Sequence, residues 1–219
     1  ASHETLTIQA NDLSTRELSD KLQGLPADSV VEVHVANRPH GFGAGMEHAL
    51  SLKVVGDLGD FALLMCEHVD VDVRGHAGHS CGHSLCSGSI LIRGNAGNCL
   101  GAFANGGFIA VHGRAGQSCG FGLAGADLFV RSAVGDHAGY GMTAGTLVLG
   151  NGAGEQVGHE MTGGLIYVRG EVKSVSDDAR QVRMKDAESL RLSLFLARAG
   201  IRGKPDDFKV YRSRRESKK

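Results

Sequence analysis

Residues His76 to Gly88 read HAGHSCGHSLCSG, three histidines and two cysteines within thirteen positions. Imidazole nitrogens and thiolates are zinc ligands, and a thiol beside an imidazole is the pairing of a nucleophile with its base. The stretch therefore offers a metal site or an activated thiol, against a third reading in which it is structural. The choice depends on where the backbone points each side chain, and that is set by the pattern around it.

The pattern is a repeat. Gly59, Gly78, Gly97, Gly116, Gly135 and Gly154 follow one another at nineteen-residue steps, as do Gly82, Gly101, Gly120, Gly139 and Gly158. Three residues before the first series stand Gly56, Gly75, Gly94 and Gly113, then Ser132, Asn151 and Gly170. The unit is G-x-x-G-x-x-x-G behind a short apolar run. In that run Leu52, Val71, Ile90, Ile109, Leu128, Leu147 and Ile166 share one slot, and Val54, Val73, Ile92, Val111, Val130, Leu149 and Val168 share another two residues later. Alternation at period two predicts a strand with one buried face. Val33 and Val35 continue both columns one step back, which gives about eight rungs from residue 31 to 170.

A nineteen-residue unit with one strand and glycine corners is too short for a pair of helices. It predicts an all-β fold, a single-stranded right-handed parallel β-helix whose strands pair with their equivalents in the next coil. Glycine suits the corners because a positive φ costs it little. Proline would remove ladder donors, and none stands between Pro39 and Pro205. Eight rungs at ~4.8 Å make a prism ~40 Å long.

Within this frame the opening stretch divides by column. Cys81 shares its slot with Ala62, Leu100, Cys119, Ala138 and Val157, a small apolar series expected to face inward. His79 aligns with Asp60, Asn98, Gln117, Asp136 and Glu155, and His76 with Asp57, Asn95 and Arg114, both polar series expected to face outward. Metal ligands must converge, so side chains on opposite sides of one wall make no site. Cys81 and Cys119 lie two rungs apart, ~10 Å, too far for a disulfide. The glycine motifs differ from a phosphate loop because a strand, not a helix N-terminus, follows each. His137 beside Asp136 reads as a rung-corner pair. The column Phe121, Tyr140 and His159 reads as a stacked ladder serving packing, with partner contact as the alternative. No catalytic, cofactor-binding or metal-ligating residue is assigned to the chain.

The flanks differ from the coils. Residues 1–30 are expected to form an N-terminal helical cap: Ser14-Thr15-Arg16-Glu17 reads as a capping box, and Leu18 and Leu22 continue a helix to Gly24. Residues 31–175 hold the coils. Residues 176–219 are expected to hold a helix, opened by Asp177 and Asp178 and marked by a stripe of Ala187, Leu190, Leu194, Ala197 and Ile201, with Gly200 as its stop, and then a basic tail. Both flanks are read as covers for the exposed terminal rungs.

Composition narrows the function classes. The 219 residues include 33 glycines, three prolines and no tryptophan. The net charge of −1 divides into +5 from Arg202 to Lys219 and −6 elsewhere. A basic tail with Phe208 and Tyr211 admits nucleic-acid contact, but a solvated or partner-docked tail is the expectation, and no nucleic-acid partner is assigned. Five cysteines without paired spacing argue against a secreted disulfide framework. No apolar run approaches the ~20 residues of a membrane span and no signal segment opens the chain, so no membrane association and a cytoplasmic location are expected.

Several rungs carry a family resemblance. Val134-Gly135-Asp136-His137, Met142-Thr143-Ala144-Gly145-Thr146-Leu147-Val148-Leu149-Gly150, and Gly158 with Met161-Thr162-Gly163-Gly164-Leu165-Ile166-Tyr167-Val168 resemble the C-terminal β-helix (GXGXG) domain of the glutamate synthase large subunit. The resemblance runs from about residue 31 to 212 and includes the final helix and Phe208-Lys209-Val210-Tyr211. It departs from glutamate synthase in that the chain begins Ala1-Ser2-His3, without a nucleophilic cysteine, and carries neither a flavin barrel nor an iron–sulfur cysteine cluster. The resemblance therefore implies a separately encoded β-helix subunit, most similar to that of N-methylglutamate synthase. Such a subunit belongs to a hetero-oligomer with a class II glutamine amidotransferase-like subunit and an FMN-binding glutamate synthase-like subunit. FMN and an iron–sulfur cluster are expected on those partners and no cofactor on this chain. Two alternatives stand beside it: the non-catalytic β-helix subunit of a formylmethanofuran dehydrogenase or formyltransferase/hydrolase complex, which uses the same coils, and a free-standing β-helix binding module.

Overall fold

The computed structural model describes residues 5–215. The Ala1-Ser2-His3 start and the last four residues of the basic tail lie outside the described residues.

The chain is a β-solenoid. One strand per coil stacks on the next in strands β2 (Ser29–His34), β3 (Leu50–Val55), β4 (Val69–Arg74), β5 (Gly88–Ile92), β6 (Phe108–Val111), β7 (Ala124–Val130), β8 (Ala144–Leu149) and β9 (Leu165–Val168). All neighbours in this series are parallel, and seven coils join the eight strands. Isolated bridges such as Ala77 to Ala96 and Ala115 to Val134 tie the coils along a second wall. Both apolar columns read from the sequence point inward and are buried from Leu52 to Val168.

The first coil departs from the nineteen-residue step. Val31 pairs with Leu52 and Val33 with Val54, so the columns begin at Val31 and Val33, not at Val33 and Val35. Pro39 already bonds Gly59 and Met46 bonds Glu67. One extra residue thus sits in the corner before Pro39 and the other just before β3. The first of these corners holds Asn37 and Arg38 in consecutive left-handed conformations (φ 59° and 49°).

The ends are closed differently from one another. Strand β1 (Leu6–Gln9) adds a parallel rung ahead of β2, which the repeat did not reveal because it lacks the glycine motif. Helix α1 (Thr15–Gln23) carries the expected capping box at Ser14 and Glu17 and drops Leu18 and Leu22 onto the end of the core. At the other end β11 (Lys209–Ser213) pairs antiparallel with β9, and β10 (Ala179–Val182) pairs antiparallel with β11. Asp177 and Asp178 lie in the turn before β10 and start no helix.

Helix α2 (Asp186–Arg198) also departs from expectation, in position and in rotation. It lies along the outside of the prism over β6–β9. There Leu192, Leu196, Ala199, Ile201, Phe208 and Val210 cover the outward side chains Phe108, Ala110, Phe129, Val148 and Tyr167. The buried stripe is Leu192 and Leu196, whereas Leu190 and Leu194 face solvent. The sequence held a signal for this. Val69–Arg74 reads VDVDVR, apolar and polar in alternation, but Thr146–Leu149 reads TLVL and Leu165–Val168 reads LIYV. Unbroken apolar strands are those buried on both faces. Among the described residues no helix is long and apolar enough to cross a membrane.

Candidate functional site

The histidine-rich stretch sits on the glycine corner of the coils, where two polar ladders run along the solenoid. In the first, His40 Nδ1 accepts the backbone N–H of Asp60 at 2.8 Å, and Asp60 Oδ1 accepts that of His79 at 2.8 Å. The series continues with His79 Nδ1 accepting from Asn98 at 2.9 Å and Asn98 Oδ1 from Gln117 at 2.9 Å. In the second, Asp57 Oδ1 accepts from His76 (2.8 Å), His76 Nδ1 from Asn95 (2.8 Å) and Asn95 Oδ1 from Arg114 (2.9 Å). Asp, Asn and His are interchangeable here because Oδ1 and Nδ1 stand the same number of bonds from the backbone. Each satisfies an N–H that no strand partner reaches.

The ladders explain the glycines that precede each rung. A Cβ on Gly97 would lie 2.6 Å from His79 Nδ1, and one on Gly94 would lie 2.5 Å from His76 Nδ1. Neither has a positive φ; they are glycine because the acceptor of the previous coil occupies the space. Positive φ is regular at the third glycine of the motif, Gly82 at φ +67° and its equivalents, and occurs at the first glycine only at the two ends of its series, Gly56 (φ +121°) and Gly170 (φ +93°).

This geometry decides what the histidines can do. A backbone N–H always donates, so Nδ1 of His76 and of His79 must hold a lone pair and the ring proton sits on Nε2. In that state each ring shows solvent a donor and no free lone pair for a metal. Cys81 is fully buried on the inner side of the wall while His76 and His79 are exposed on the outer side, as their columns implied. Among the described residues no three His, Cys, Asp or Glu side chains gather as a metal site would need. Between the ladders runs a shallow groove of about 340 Å³ lined by Asp57, Asp60, His76, His79 and the alanines Ala77 and Ala96.

His79→Ala is expected to lower the unfolding free energy by about 0.5–1.5 kcal/mol, the worth of one hydrogen bond, and His79→Asn to restore it. Urea unfolding of the three proteins checks this, and equal loss in Ala and Asn variants would remove the acceptor role.

The three buried thiols and Cys86 are not activated. Burial pushes Cys81 and Cys119 up to about 12 and Cys66 to about 11. The half-exposed Cys86 is raised as well, by desolvation first and then by the Glu67 carboxylate. The thiolate is the nucleophilic form, so these shifts oppose reactivity.

One grouping escaped the sequence reading. His159, Ser176 and Asp178 come together where the last coil meets β10, brought there by an eighteen-residue final step. His159 Nδ1 stands 3.3 Å from Ser176 Oγ and 3.5 Å from Asp178 Oδ2. A hydrolytic triad needs the serine on one ring nitrogen and the acid on the other. Here both share Nδ1, Ser176 is buried, and Asp178 also accepts the Glu160 N–H at 2.8 Å. The grouping ties down the last rung.

The aromatic column is longer than the slot Phe121, Tyr140 and His159. Ring centroids step from His83 to Phe103 (5.4 Å), Phe121 (4.9 Å), Tyr140 (5.1 Å) and His159 (5.2 Å). Phe103 joins from a neighbouring slot, over Gly122, which is why strict nineteen-residue spacing misses it. Of these pairs Phe121 and Tyr140 stack, Phe103 meets Phe121 edge-on, and the two end pairs are tilted.

A family model described as the GXGXG motif matches residues 28–193. The chain belongs to the GXGXG family. The match takes in the coils from β2 to β9 and the first half of α2. A GXGXG β-helix is typical of glutamate synthase-like enzymes. None of the curated proteins matches the chain.

Proposed function

We propose that this GXGXG chain is a non-catalytic scaffold component of a glutamate synthase-like complex of the N-methylglutamate synthase type. In this reading methylamine and L-glutamate give N-methyl-L-glutamate and ammonia on an amidotransferase-like partner and an FMN-binding synthase-like partner. The observation that carries it is the fate of the polar groups on the glycine corner. The ladder acceptors of His76, His79, Asp57 and Asp60 are taken by backbone N–H groups of the next coil, and the inner thiols are buried and protonated. What the solenoid offers is fixed, extended surface, since every rung is tied to its neighbours.

FMN and an iron–sulfur cluster belong to the partners in this reading. The residues here suit neither. Cys66, Cys81 and Cys119 sit on separate coils, and the glycine corners lead into strands rather than into the helix N-termini that cradle phosphates.

The test is to tag the chain at its native expression level and identify what accompanies it by mass spectrometry. Stoichiometric amounts of an amidotransferase-like protein and a flavin-bearing synthase are expected. A metal-dependent formyl-transferring partner would replace this reading with the formylmethanofuran one, and recovery without any partner would replace it with a free-standing binding module.

A further inference from the structure

Helix α2 has two apolar faces and the prism uses one of them. Leu192, Leu196 and Ala199 are buried against the sheet, while Ala187, Leu190, Leu194 and Ala197 face away from it. Leu190 and Leu194 are 66% and 64% exposed, the highest exposures of any large apolar side chain among the described residues. The outer four are spaced three, four and three residues apart, the seam spacing of a two-helix coiled coil.

The charged residues that flank the seam select an occupant. Asp186 stands on one flank just before Ala187, and Arg191 and Arg198 stand on the other. In a parallel pair a residue on the first flank meets the residue five positions later on the partner's second flank. That offset sets Asp186 of each chain against Arg191 of the other, twice, and Ser193 against Arg198. In an antiparallel pair each flank meets its own kind, so Arg191 and Arg198 would face arginines. We propose that the outer face of α2 pairs with a second copy of this chain about a parallel two-fold axis.

The helix is placed for it. Glu188 meets Arg212 of β11 at one end, and Arg198 lies over Phe108 of β6, 4.1 Å from the ring centroid, at the other. α2 therefore runs along the solenoid as its outermost layer, and the pairing lays two prisms side by side with their axes aligned. Arg191 already reaches Asp127 at 3.2 Å, which holds its stem in place while its other N–H donors remain for the second carboxylate. A closed two-fold stops at the dimer. Four short layers bury less than the ~1,200 Å² of a stable complex, so half-association is expected on the order of 10–100 µM.

Sedimentation velocity of the full chain from about 1 µM to about 500 µM, a range that brackets this midpoint, tests it. The expected result is a shift from monomer to dimer with no larger species, abolished by Leu190→Glu at unchanged melting temperature. Asp186→Lys and Arg191→Glu variants should each associate at least ~10-fold more weakly alone and recover when mixed, because only the mixed pair restores both contacts. Ala187→Cys should cross-link under mild oxidation where the wild type does not; in an antiparallel pair those residues lie ~15 Å apart along the helices. A monomer at every concentration, as when another protein's helix is the true occupant, overturns the proposal. So does a dimer indifferent to Leu190→Glu, or one that Ala187→Cys fails to trap.

Discussion

Gly116→Val is expected to leave no folded protein. A Cβ at this position would stand 2.1 Å from Asn98 Oδ1, 2.9 Å from Asn98 N and 3.0 Å from the Gly97 carbonyl carbon. The first contact could yield only if Asn98 abandoned the N–H of Gln117 that it accepts at 2.9 Å. The other two are backbone, and Gly116 N–H is bonded to Gly97 O at 3.1 Å, so the coils cannot part without losing that bond too. Valine adds two further carbons. Overpacking a well-filled site costs about 1–3 kcal/mol where side chains can shift, and more where backbone is the obstacle. Domain stability is only ~5–15 kcal/mol, and in a solenoid each lost interface exposes the next. Gly41→Ala is the control: it has φ +64° with nothing within 4 Å of its Cβ, so it carries only left-handed strain of about 1–2 kcal/mol. Soluble yield and thermal melting by circular dichroism separate the two. A Gly116→Val protein that melts near wild type would show that the close approach between coils is not obligatory.

Leu196→Ala is expected to cost about 2–5 kcal/mol in urea unfolding, the range for a buried leucine, while Leu194→Ala costs under ~0.5 kcal/mol. The two residues are two positions apart on one helix. Leu196 is 2% exposed and closes over the outward side chains of β6–β9, whereas Leu194 faces solvent. Equal effects would mean that α2 is rotated away from the orientation that buries Leu196.

The sequence carried the architecture because the repeat carries it. Slots such as Leu52, Val71 and Ile90 are fixed by inward packing, and the nineteen-residue step appears wherever the coil is regular. It was blind where the repeat is broken. The 21-residue first coil moved the columns from Val33 and Val35 to Val31 and Val33, and β1 has no motif to announce it. Helix α2 was misread because both of its faces are apolar, so periodicity alone chose Ala187, Leu190, Leu194 and Ala197 although the prism takes Leu192 and Leu196. Strand content decides that case: VDVDVR offers nothing outside for a helix to cover, and TLVL does.

The glycine corner was half legible. Column membership placed His76 and His79 outside and Cys81 inside, as found. That the histidines act as hydrogen-bond acceptors like Asn and Asp was not read, although the same columns mix Asp60, His79 and Asn98. Positive φ was assigned as the reason for all the glycines and holds for the third of each motif, while close approach of the previous coil, its acceptors or its backbone, accounts for most of the first two. The gathering of His159, Ser176 and Asp178 had no sequence signal, because the last coil is shorter than the repeat that organises the rest.

The central claim is that this chain organises catalysis without supplying a catalytic group. Its most direct test is turnover of the complex that the chain co-purifies with, carrying Cys86→Ser, Cys99→Ser and His79→Asn together. These replace the two partly exposed thiols and one of the two ladder imidazoles of the histidine-rich corner. Turnover within about twofold of wild type is the predicted result, since ~0.4 kcal/mol is all that such a change represents. A loss of tenfold or more with assembly and melting temperature intact would place a catalytic group on this chain and contradict the account.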